Sequence, residues 1–244
     1  MCRLLGYVAR TPTTLPEFIG PSFSQFLELS HIHKDSWGYT YSNQQEMALA
    51  KNPETAALDQ RFSETLSSHP TDGALLHFRW ASPGLVVIPE NAHPFTNQEI
   101  SLIHNGAITP YDSLLPLVSP EFIKQRRGTT DSELYFLFLL TAIEERGFLA
   151  GVDHVLSTIR SQFKYSSINS MIMGPDHLVV ISEHDPLNKP DWADEIYYEL
   201  RFRVTEKGIA IASSGWDQQG WELMPNHSML IIDRKTLKHE LRTL

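Results

Sequence analysis

Met1-Cys2-Arg3-Leu4-Leu5-Gly6-Tyr7-Val8-Ala9 opens the chain. An apolar run of this length, ended by the turn-forming Thr11-Pro12-Thr13-Thr14, has the pattern of a buried strand, so the fold is expected to begin inside a sheet. Next to the terminus stands Cys2, the one cysteine in 244 residues. No intrachain disulfide is possible, and a lone thiol is either a small buried hydrophobe or a reactive group.

Outward from this strand, residues 23–29 have the spacing of a short helix, 37–41 and 47–50 of a hairpin pair, and 56–67 of a helix carrying Leu58, Phe62 and Leu66 on one face. A strand is expected over 74–79, followed by a loop rich in Pro and Asn, a strand over 100–104 and a turn at Asn105-Gly106. Thr130 and Glu133 stand at capping-box spacing, which starts a helix running to Arg146 and stopped by Gly147. A second helix over 152–163 is expected to pack beside it. Strands follow at 167–173, 178–182, 197–204, 209–213 and 229–232, separated by turns such as Gly174-Pro175-Asp176. Helices segregated from mostly antiparallel strands make an α+β layered domain, not alternating βαβ units. With 41% hydrophobic residues and no visible linker, one domain over residues 1–244 is expected.

Composition removes several partner classes. A formal net charge of -9 is unsuited to phosphate backbones, and the one basic cluster, Lys124-Gln125-Arg126-Arg127, reads as a solvated face, so no nucleic acid is expected. The most apolar stretch, residues 134–143 between Glu133 and Glu144, is about half of what a membrane-crossing helix needs and reads as a buried helix. No membrane partner is expected. Nothing in the N-terminal pattern marks export, which points to the cytoplasm. The eleven histidines, with His31 and His33 two apart, lack the rhythm of a zinc site; no metal and no cofactor are expected.

If Met1 is removed, the thiol of Cys2 and a free α-amine share one residue. A thiol pKa of about 8.5 beside an amine pKa of about 8 lets the amine accept the proton, directly or through a water, as sulfur attacks a carbonyl. Taken alone, Cys2 is better explained by filling a strand-end pocket. Likewise, Arg79 alone suits a surface ion pair, Asn105-Gly106 suits a hairpin turn, and Asp131 suits the first turn of any helix.

The ordered set is more specific than its parts. Cys2-Arg3-Leu4-Leu5-Gly6-Tyr7, His77-Phe78-Arg79-Trp80-Ala81-Ser82, Asn91-Ala92-His93-Pro94-Phe95, His104-Asn105-Gly106, Thr130-Asp131-Ser132-Glu133 and the late Ala212-Ser213-Ser214 resemble the class II glutamine amidotransferases in order and spacing, and the stand-alone, single-domain members most. The resemblance implies an N-terminal-nucleophile hydrolase fold, a four-layer αββα sandwich with two mainly antiparallel sheets. It implies Cys2 as nucleophile, Asn105 and Gly106 as the oxyanion hole, Arg79 and Ser82 on the substrate α-carboxylate, Trp80 lining the pocket, and Asp131 on the α-amino group. The implied substrate is glutamine or a γ-glutamyl small molecule, cleaved through a Cys2 thioester, with a separate ammonia-accepting synthase as a possible partner. The alternatives are a γ-glutamyl hydrolase of thiol metabolism with little glutaminase activity, and a silent ligand-binding subunit. Two departures stand out: Asp35-Ser36-Trp37-Gly38 replaces the common Asp-Gly-Trp-Gly, a loop expected not to touch the catalytic set, and His33-Lys34 stands where larger members carry arginine.

Overall fold

A computed structural model describes residues 2–43, 46–82, 84–97 and 99–244. Met1, Gln44, Gln45, Pro83 and Gln98 lie outside the described residues.

The chain runs β1 (Arg3–Thr13), α1 (Leu15–Ile19), α2 (Phe23–Glu28), β2 (Ser36–Asn43), β3 (Glu46–Asn52), α3 (Gln60–Ser68) and β4 (Thr71–Arg79). After a loop come β5 (Phe95–Thr96), β6 (Ser101–Thr109), α4 (Pro120–Ile123), α5 (Asp131–Arg146) and α6 (Phe148–Gln162). The rest is β7 (Lys164–Met173), β8 (His177–Ser182), β9 (Leu200–Thr205), β10 (Gly208–Ser213), β11 (Glu222–Leu223), β12 (Ser228–Asp233) and β13 (His239–Thr243).

Two antiparallel sheets result. One orders its strands β11-β9-β10-β1-β4-β2-β3, the other β13-β12-β8-β7-β6-β5. The apolar first strand is central in its sheet, hydrogen-bonded to β10 on one side and β4 on the other. Alternation along β1 divides two cores. Leu5, Tyr7 and Ala9 pack with Phe18, Phe26 and Phe62 of α1 to α3. Leu4 and Val8 point the other way, to Ile103, Met171 and Val180 of the second sheet. That sheet turns Leu102, Ile172 and Ile181 outward onto Leu134, Phe138 and Val155 of α5 and α6. Helices, sheet, sheet, helices: this is the expected αββα sandwich. No helix among the described residues is long and apolar enough to cross a membrane.

Two expected turns are strand instead. β1 continues through Thr11-Pro12 to Thr13, and Pro12 is tolerated because the ladder to β4 is interrupted between Val8 and Thr13, where no backbone donor is required. Asn105-Gly106 lies inside β6, paired with Asn169 and Ile168 of β7. A Cβ on Gly106 would fall 1.8 Å from the Ser167 carbonyl oxygen, so the glycine permits a close approach of two strands rather than a reversal. The α5 start is as expected: Thr130 Oγ1 accepts from the Glu133 amide at 3.2 Å. The Glu133 carboxylate, however, accepts from Arg127 and Gly128, both at 2.7 Å, and so fixes the preceding loop.

Candidate active site

Cys2 precedes β1 at the point where the two sheets meet. Its backbone nitrogen donates to Asn105 Oδ1 at 2.9 Å, a bond spanning 103 positions that joins the first sheet to β6 of the second. Both residues are buried. With its oxygen committed to Cys2, Asn105 keeps an amide Nδ2 that is buried and has no hydrogen-bond partner among the described residues. A buried donor without an acceptor costs about 1–3 kcal/mol, and here it lies next to the candidate nucleophile.

Arg79 ends β4 and is 3% exposed. Its side chain makes one long bond, Nη1 to the Val86 carbonyl at 3.4 Å, and no described carboxylate lies within ion-pair distance. The surface-pair explanation is therefore excluded for this arginine. Burial lowers its pKa, while Cys2, Asp35 and Asp131 act in the opposite direction. Asp131, the first residue of α5, is also buried and forms no ion pair among the described residues; its Oδ2 accepts from the Ile108 amide at 2.7 Å. Burial raises its pKa against the opposing pull of His104 and of backbone amides. A buried cation and a buried anion, both unpaired, are what the two poles of a zwitterionic amino acid would satisfy.

Cys2, Arg79, Trp80, Ser82, Gly106 and Asp131 line one cleft of about 30 Å³, room for little more than a water molecule. Asn105 is the one expected residue not on that lining, and it is tied to the cleft through Cys2. A larger hollow of about 650 Å³ lies elsewhere, lined by Lys51, Glu90, Lys124 and Arg127 among others. None of the residues with paired chemistry borders it, so size is a poor guide here.

Several contributors had not been singled out from sequence. Asp35 accepts from the Ala81 amide at 2.6 Å and donates its own amide to the Arg79 carbonyl at 3.0 Å. Ser36 is the β-partner of Arg79. The Asp35-Ser36-Trp37-Gly38 segment thus braces Arg79, on the expected substrate-binding side of the site. Gly38 also admits the next loop, since a Cβ there would sit 1.9 Å from the His93 carbonyl oxygen. Three histidines back the cleft: His77 and His93 stack at 4.1 Å, and His104 Nδ1 meets Ser132 Oγ at 2.9 Å. Burial pushes the pKa of His77 and His93 well below the ordinary range and lowers that of His104. Their signal was His77 and His104 in otherwise apolar strands and His93 in the loop before β5, each within a motif quoted above. His31 approaches Glu28 at 3.7 Å on the surface, whereas His33 is buried against Trp80. The two do not converge, and no group of three potential metal ligands exists among the described residues.

The sequence model for glutamine amidotransferases class-II matches residues 1–193. The chain belongs to this family. Among related class II amidotransferase sequences, a glutamine–fructose-6-phosphate aminotransferase of Acinetobacter baylyi (strain ATCC 33305 / BD413 / ADP1) is 26% identical over 193 residues, 77% of this chain and 29% of that one. The Escherichia coli (strain K12) protein YafJ is 27% identical over 194 residues, 74% of this chain and 72% of its own length. In fold, this amidotransferase aligns with a glutamine aminotransferase class-II domain protein from Silicibacter pomeroyi at a TM-score of 0.68 and 18% identity, covering 100% of this chain and 99% of the other.

Proposed function

We propose that residues 1–244 act as one amidotransferase domain that hydrolyses the γ-carboxamide of glutamine, or of a γ-glutamyl amide, through a thioester on Cys2 after removal of Met1. The observation that carries this reading is the Cys2–Asn105 bond, which commits the amide oxygen to Cys2 and leaves the buried Nδ2 donor without a partner among the described residues. In the proposed reaction the Cys2 sulfur adds to the amide carbon, and its proton passes to the Cys2 α-amine. Asn105 Nδ2 and the Gly106 N–H hold the oxyanion; one such donor is worth about 3 kcal/mol of barrier. The C–N bond breaks as the α-ammonium returns the proton to the leaving nitrogen, and water then cleaves the γ-glutamyl thioester to glutamate. Arg79 and Ser82 orient the α-carboxylate and Asp131 the α-ammonium, leaving the side-chain amide to meet the sulfur. Given the cleft volume, entry requires the rim side chains to move, and Trp80, at 38% exposure, is the least confined of them. A cytoplasmic setting, where thiols stay reduced, suits this nucleophile.

Mass spectrometry after treatment with a diazo-ketone analogue of glutamine tests the proposal. The expected result is one adduct on an N-terminal Cys2, absent from the Cys2→Ala protein. Quantitative retention of Met1, or an adduct elsewhere, overturns it.

A further inference from the structure

Cys2 is flanked by two groups of residues. On one side stand Arg79 and Asp131. On the other, Arg3 donates from Nη1 to the Cys2 carbonyl at 3.3 Å and to the Tyr197 carbonyl at 3.2 Å, and its guanidinium lies 4.1 Å above the Tyr197 ring. Tyr197 is buried, its hydroxyl has no partner among the described residues, and it is within electrostatic reach of both Arg3 and Cys2.

From Tyr197 an aromatic wall continues to the surface. Trp192 meets Tyr197 edge-on at 5.2 Å and lies 5.0 Å from Trp80, which lines the cleft itself. Trp192 is 53% exposed, a large indole left half open at the mouth of a polar site. Asp191, Asp194 and Glu195 surround it in sequence, all exposed, and none forms an ion pair through its carboxylate with a described residue. Of the nearby cations among the described residues, Lys189 donates to the Asp194 backbone carbonyl at 2.9 Å, and Arg3, over the Tyr197 ring, lies within electrostatic reach of Asp194, leaving Asp191 and Glu195 as the carboxylates without such a neighbour. An open indole with exposed acidic residues next to it in the chain is a setting that attracts cations.

We infer that Trp192, with Trp80 and the acidic Asp191–Glu195 rim, forms a subsite for the leaving amine of the substrate, and that this amine carries a positive charge a few bonds beyond the scissile nitrogen. The inference rests on the proposed Cys2 reaction and names its substrate class: a γ-glutamyl amide of a cationic amine. With the amino-acid poles at Arg79 and Asp131, the departing group has the Tyr197–Trp192 side left to occupy. The buried Tyr197 hydroxyl offers a hydrogen-bonding group on the way.

The test compares the mono-γ-glutamyl amide of 1,4-diaminobutane with that of pentylamine, which has the same length and no charge. Turnover is measured in the full chain, and binding by calorimetry in the Cys2→Ala protein. The expected result is a preference of about tenfold for the charged amide in both readouts, lost in Trp192→Ala and largely kept in Trp192→Phe. Equal treatment of the two amides, or a preference that survives Trp192→Ala, overturns the subsite. Charge-selective binding with no turnover of either amide leaves the subsite standing and refutes the thiol reaction, so the two failures are distinct.

Discussion

Arg79 and Asp131 are buried charges without ion-pair partners among the described residues, and at Asp131 binding and stability respond differently to removal of the charge. Asp131→Asn keeps an oxygen to accept from Ile108 but loses the charge proposed to bind the α-ammonium. Truncating one partner of a buried charge pair costs about 2–5 kcal/mol, so kcat/KM for the γ-glutamyl substrate is expected to fall by about 30-fold or more. Stability should move the other way. Because burial raises the Asp131 pKa, the unfolded chain gives up its proton before the folded one does, and stability falls as pH rises from the ordinary carboxylate range to the raised value. Urea unfolding at pH 7 should therefore show Asp131→Asn at least as stable as the parent; a clear loss would mean that the carboxylate is held by a cation. The residue identities were legible as an ordered set of motifs. That Arg79 is buried and unpaired was not, because an ion pair depends on which distant side chains come near.

At the scale of elements, the α5 start and the strands β1, β4, β6 and β7 were readable from periodicity and from the Thr130–Glu133 spacing. α1 was missed although Thr14 and Glu17 carry the same spacing and bond to each other at 2.8 Å; at five residues it has no hydrophobic period to register. Asn105-Gly106 was misread because an Asn-Gly pair has the same local propensity whether it reverses a hairpin or passes a neighbouring strand at close range. Gly106→Ala separates these readings. A turn would accept the methyl group with modest strain, whereas in β6 it meets the Ser167 backbone. Overpacking of this kind costs about 1–3 kcal/mol, so a fall in Tm of roughly 2–12 °C is expected by calorimetry, together with loss of turnover. Thr130→Ala should cost about 1 kcal/mol through the lost cap, measured by the same unfolding curves.

The whole molecule carries an acid sensitivity. His77 and His93 are buried, with pKa values well below the ordinary histidine range, so the unfolded chain takes up protons that the folded one refuses. Stability is then full above about pH 6.5 and declines as pH falls below it, at up to about 1.4 kcal/mol per pH unit for each histidine. Urea unfolding between pH 8 and 5 checks this: the slope should be steeper in the parent than in His93→Gln, and equal slopes would remove His93 from the account.

The sequence by itself determined the family and the α+β layering and named the candidate site residues, because apolar alternation and short motifs are local properties that survive without knowledge of partners. Only the tertiary structure decided that Cys2 meets Asn105 across the two sheets, that Asn105-Gly106 is strand rather than turn, and that an open tryptophan stands at the mouth of the cleft. Each of these is a contact between segments far apart in the chain, and such contacts are fixed by how whole sheets and helices pack, not by what any one segment prefers.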